Sequence, residues 1–96
     1  MNSNTVLILD ADGRAGLSCV QSLGPAGAVV HAGVRTIDSL TQRSRWCHHV
    51  HVQPPAEPLG AAVAWLEELD RRFSFTLVVP TTEASLRWLR HMPQDH

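Results

Sequence analysis

The chain has 96 residues, 44% of them hydrophobic and 18% charged, with a formal net charge of -1. That length allows one domain with a modest core, and the balanced charge gives no electrostatic reason to expect nucleic acid or an anionic membrane as partner. No apolar run approaches the roughly 20 residues of a membrane span.

Met1-Asn-Ser-Asn4 has neither the basic nor the apolar part of a secretory signal. Cys19 and Cys47 are too few for a disulfide framework and read as reduced thiols, so a cytoplasmic location is expected.

Strand-like and helix-like segments alternate along the chain, the pattern of a parallel sheet covered by helices. Val6 to Leu9 is apolar on both faces and predicts a central strand. From Ala15 to Leu23, Leu17, Val20 and Leu23 recur at helical spacing, and Gly24-Pro25 stops the helix. Ala28 to Ala32 predicts a second strand closed by Gly33. Thr36 to Trp46 is polar, with Ile37 and Leu40 three apart, and predicts one or two short helical turns. His48 to Gln53 alternates, Val50 and Val52 on one face and His49 and His51 on the other, as a half-exposed edge strand would.

Pro54-Pro-Ala-Glu-Pro58 breaks the chain before Leu59 to Phe73, the clearest amphipathic helix. Its positions 59, 62, 63, 66, 69 and 73 are apolar, with Glu67, Glu68, Arg71 and Arg72 opposite. Thr76 to Val79 predicts a fourth strand buried on both faces. Pro80-Thr-Thr-Glu83 then leads into a last helix carrying Leu86 and Leu89, which ends at Met92-Pro93. With right-handed crossovers, the order β-α-β-α-β-α-β-α predicts a half-Rossmann, three-layer α/β sandwich. Its parallel four-stranded sheet has the order 3-2-1-4, with helices on both faces.

Two turns carry the candidate chemistry. Ala11-x-Gly13-x-x-Gly16 has the outline of a dinucleotide fingerprint, whose glycines allow a tight turn, close ligand approach and close helix packing. Asp10 and Asp12 place negative charge where a pyrophosphate would sit, and Gly33-Val-Arg35 offers no acid for a ribose. Arg35 suits an anion, or is one of the solvated arginines of a polar connection with Arg43 and Arg45.

The second turn is Pro80-Thr81-Thr82-Glu83. If the first and fourth strands are neighbours, both turns open into the crevice where open α/β sheets bind ligands. Asp10, Asp12, Gly13, Thr81 and Glu83 would then line one concave site. Helix capping by Thr81 or Thr82 explains the second turn equally well. Cys47, His49 and His51 share a strand face, but no second ligand cluster stands at zinc-like spacing, and no metal site is expected. Trp88 is a candidate contact for a partner, and the open strand edges allow a homodimer.

In order, Val6-Leu-Ile-Leu-Asp10 with Gly13-Arg14, Ser22-Leu-Gly24, Val30-His-Ala-Gly33, Ser44-Arg45-Trp-Cys47 and Val79-Pro80-Thr-Thr-Glu83-Ala-Ser-Leu86 span nearly the whole chain. With these segments the sequence resembles the N-terminal pre-ATP-grasp domain of carbamoyl-phosphate-synthase-like ATP-grasp ligases; Pro25 departs from the family pattern.

The resemblance implies that residues 1–96 are the substrate-side lobe of a carboxylate–amine-type ligase, not catalytic in isolation. The rest of the protein would bring ATP-grasp domains that hold ATP and Mg. It implies a small carboxylate or amine as substrate, with Asp12, Gly13, Arg14 and Glu83 facing it. The alternative is a standalone Rossmann-like module that binds a small ligand or nucleotide for regulation.

Overall fold

The computed structural model describes residues 4–37 and 41–92. Strand β1 (Thr5–Ile8) pairs in parallel with β2 (Val29–Val34) on one side and with β4 (Leu77–Val79) on the other. Strand β3 (His49–Val52) pairs in parallel with β2, so the sheet order is β3-β2-β1-β4. This is the predicted α/β topology. Flanked on both sides and covered on both faces, Val6 to Leu9 are buried, which is why this run lacks any polar position.

Helix α1 (Arg14–Leu23) lies on one face. Its Val20, with Leu23 and Cys19 beside it, packs on Val6, Ile8, Val30, Ala32 and Val34. Helices α2 (Leu59–Phe73) and α3 (Glu83–Arg90) cover the other face, where Ala62, Leu66, Leu69 and Trp88 close over Leu7 and Leu9. The first helix begins one residue before the sequence-based start, and β2 runs two residues further. The bounds of α2 coincide with the expectation, because its apolar stripe and the flanking Pro58 and Ser74 define both ends. Ser74 adopts a left-handed conformation (φ 52°) and its amide donates to Asp70 O.

Gly16 permits the close approach of α1 to the sheet. A Cβ there would lie 2.3 Å from Ala11 Cα and 2.6 Å from Ala11 O, both backbone atoms. The glycine pattern therefore has a packing function in this turn. Between β2 and β3 a 3₁₀ turn (Thr41–Arg43) is present among the described residues; Leu40 of the predicted helical stripe, like Pro93 at the predicted end of α3, lies outside the described residues.

One edge differs from expectation and the other matches it: β3 is the half-exposed edge strand its alternation predicts. The fourth strand is not buried on both faces: α1 covers only the middle of the sheet, so Leu77 is 49% exposed and Val79 half-buried. On β3 the alternation is reversed relative to hydrophobicity. Val50 and Val52 face outward, while His49 and His51 lie against His31 and Phe73. Trp88, a candidate partner contact, is packed within this chain. It is 2% exposed and meets Trp65 edge to face, with ring centroids 6.2 Å apart.

Candidate functional site

The carboxyl ends of all four strands converge on Asp10. This residue leaves β1 in a left-handed conformation (φ 53°), which Asp tolerates better than most residues. Its carboxylate is only 4% exposed and is engaged by three elements. Oδ1 accepts Arg35 Nε, from just beyond β2, at 2.8 Å and Gln53 Nε2, from just beyond β3, at 3.0 Å. Oδ2 accepts the hydroxyl of Thr82, from the turn after β4. The Asp10 amide donates to Gln53 Oε1 at 2.7 Å, so Gln53 clasps the residue through both ends of its own side chain.

Burial pushes the Asp10 carboxyl up, but hydrogen bonds from Arg35, Thr82 and Gln53 and the Arg35 charge outweigh it and hold the carboxyl below its ordinary value. The same pair raises the Arg35 pKa. Asp10 is thus a charged hub whose oxygens already have donors within the chain.

The turns after β1 and β4 are joined directly. Thr81 Oγ1 donates to Leu9 O at 2.8 Å and to Asp10 O at 3.1 Å. Thr82 caps α3: its Oγ1 accepts the Ser85 amide, and Ser85 Oγ accepts the Thr82 amide, both at 3.1 Å. Capping and tethering coexist in this turn, with Thr82 as the cap and Thr81 as the tether. Glu83 is exposed in the first turn of α3, where the helix dipole favours its charge.

Asp12 faces β2. Its Oδ2 accepts the Arg35 and Thr36 amides at 3.0 and 3.2 Å. Gly13 is the N-cap of α1 in an extended conformation and has no side-chain cap, so the first amides of the helix point outward beside the exposed Arg14.

Two open clefts flank the hub. One, of about 290 Å³, is lined by Arg35, Gln53, Pro54, Pro55, Ala56 and Trp88. The other, of about 190 Å³, is lined by Asp12, Gly13, Arg14, Leu17 and Thr41. Arg35 is 57% exposed, so its outer guanidinium face borders the first cleft while Nε holds Asp10.

The expected site residues therefore fall in four places. Asp10 and Thr81 build the floor. Asp12, Gly13 and Arg14 line the second cleft, Arg35 lines the first, and Glu83 stands on the rim of the joined turns. Gln53 and Thr82 were not among the sequence-based site residues. The sequence contained a turn signal for Thr82 but none for Gln53, which is 43 residues from Asp10.

Among the described residues, no group of three or more His, Cys, Asp or Glu side chains is arranged to hold a metal ion, and no helix is long and apolar enough to cross a membrane. No protein-family model matches the sequence, and no curated protein matches it.

Proposed function

We propose that this chain is the substrate-side lobe of an ATP-grasp carboxylate–amine-type ligase. The observation that carries the proposal is the hydrogen-bonded adjacency of β1 and β4, with Thr81 and Thr82 fastening the β4 turn to Leu9 and Asp10. This adjacency joins the two turns named by the family resemblance at the carboxyl ends of the sheet, where open α/β sheets bind ligands. Asp10, Gln53 and Thr81 hold the crevice in shape. Asp12, Gly13, Arg14, Arg35 and Glu83 present the groups that would contact a small carboxylate or amine.

The residues present do not fit a Mg-ATP site. Asp10 has its carboxylate turned inward, Asp12 is bonded to backbone amides, and both put negative charge at the turn that would otherwise receive phosphate. Nucleotide and metal are therefore assigned to ATP-grasp domains of the same protein, and the role of this lobe is to shape and orient. The coding sequence beyond His96 tests the proposal. Continuation into a region with ATP-clamping lysines and Mg-binding acids supports it, and a stop codon there removes it.

A second function, a self-contained small-ligand-binding regulatory module, is favoured by the Arg35 cleft, where an exposed guanidinium face borders about 290 Å³. Calorimetry of the 96-residue chain with ATP, NADPH and amino acids distinguishes the two. Binding of a nucleotide favours the module, and heat with none of them counts against it.

A further inference from the structure

Beside the site, three histidine rings meet where β3 joins β2. His31, 2% exposed in the middle of β2, has near-parallel ring contacts with two histidines of β3: His49 at 4.3 Å and His51 at 5.2 Å between centroids. The His31–His51 planes differ by only 6°, and His31 Nδ1 lies 2.9 Å from His51 Nε2. These rings therefore meet edge to edge, one nitrogen donating and the other accepting a single proton. Just before β3, His48 Nδ1 accepts the Val30 amide at 2.9 Å, which requires that nitrogen to be unprotonated.

The groups placed against the His31 and His51 rings from the neighbouring elements are apolar or cationic. On β1 the residue in register with His31 is Leu7. From α2 come the Phe73 ring, 4.6 Å from His31, and the Arg72 guanidinium, 5.2 Å above Phe73. After α2 comes Phe75, edge-on to His31 at 5.1 Å. The carboxylate at that end of α2, Asp70, accepts the Phe75 amide. The Cys47 thiol donates to His49 O, and burial pushes it up, away from the thiolate.

We propose that β3 is a proton-released edge strand: charging the hydrogen-bonded His31–His51 pair in acid detaches β3 from β2 and withdraws Gln53 from Asp10. A second proton on the His31–His51 pair would set two N–H groups against each other. Burial and the charges of His49, His51 and His48 already hold the His31 pKa down to about 4. Burial, His49 and Arg72 lower that of His51. As an edge strand with exposed Val50 and Val52, β3 loses little apolar contact on its outer face when it leaves. Gln53 follows directly on β3, so the strand's departure opens the floor of the crevice whatever ligand the crevice takes.

Amide hydrogen exchange of the 96-residue chain, read as protection factors by NMR, tests this. The probes are Val30, Gln53 and Asp10, whose amides are bonded to His48 Nδ1, Val34 O and Gln53 Oε1. The references are Leu9 and Thr76, bonded to Val79 O and Thr5 O across the β1–β4 pair. With His31 at about 4 when folded and about 6.5 when released, probe protection should fall about 20-fold relative to the references between about pH 7 and about pH 5. His51→Gln should flatten that ratio.

Probes and references that weaken together, or a ratio that does not move, would overturn the proposal. Imidazole NMR titration of the unsubstituted chain provides a check that needs no variant: a His31 ring titrating near its ordinary value overturns it as well.

Discussion

Truncation of the Asp10 side chain should reveal how far the four strand ends depend on one carboxylate. Three substitutions separate the contributions. Asp10→Asn retains an acceptor for Arg35 and Gln53 and tolerates the left-handed backbone, so it loses mainly the charge. The Arg35 partner is more than half exposed, and solvent screens that pair to about 1 kcal/mol or less.

Asp10→Gly loses every side-chain acceptor but keeps the backbone freedom. Arg35 and Thr82 are exposed and recover water, whereas the buried Gln53 Nε2 loses its partner at a cost of about 1–3 kcal/mol. Asp10→Ala adds about 1 kcal/mol or more for a Cβ in the left-handed region. The predicted order of destabilisation is Asn, then Gly, then Ala, with Ala at about 3 kcal/mol. Urea unfolding with a common m-value reads this series directly. A double-mutant cycle of Asp10→Ala with Gln53→Ala should give a coupling of about 1 kcal/mol or more. Equal effects for all three substitutions, or an Ala variant within about 0.5 kcal/mol of the unsubstituted chain, would show that Asp10 is not a hub.

Further predictions concern packing and pH. Gly16→Ala should cost about 2–3 kcal/mol in urea unfolding because α1 must move off Ala11. Gly13→Ser should be neutral or stabilising, since the nearest atom to a Cβ there is 3.9 Å away and serine supplies the missing cap. Trp88→Ala should cost about 3–5 kcal/mol, as expected for a buried ring packed on Trp65; a loss below about 1 kcal/mol would contradict its place in the core.

Stability should also fall in acid. The folded-state pKa of His31, about 4, lies below its ordinary value, so the unfolded chain binds the extra proton first as pH drops. The stabilisation is complete above about pH 6.5 and is lost down to about pH 4, by up to about 3 kcal/mol. Asp10, also lowered, adds its own loss below the ordinary carboxylate range. Urea midpoints measured across that window should decline, and a flat profile would be inconsistent with a buried neutral His31.

Periodicity and punctuation made the main elements legible from sequence. The α2 stripe between Pro58 and Ser74 marks its own ends, and the unbroken apolar run of β1 implies neighbours on both sides. Alternation on β3 told which residues share a face but not which face is covered. Hydrophobicity favours burying Val50 and Val52, yet the middle of β2 and the end of α2 supply His31 and Phe73 on the opposite side, and the histidines follow them. The exposure of Leu77 was hidden for a similar reason: an apolar triplet reads as buried, while its cover depends on which helices reach the sheet edge. Two glycines and two acids marked the first turn as a place where the backbone does something particular. Nothing local marked Gln53, because a polar residue at the end of an edge strand acquires its partner only when the sheet has formed.

The crevice at the strand ends can be mapped by titrating the 15N-labelled chain with small carboxylates and amino acids and following its amide resonances. Binding there should move Asp12, Gly13, Arg14, Arg35 and the Thr81–Glu83 turn, leaving the β4 edge at Leu77 unchanged. Shifts confined to the groove formed by Leu77, Leu89 and Met92, or no shifts at millimolar ligand, would place recognition elsewhere and leave the joined turns with a purely structural role.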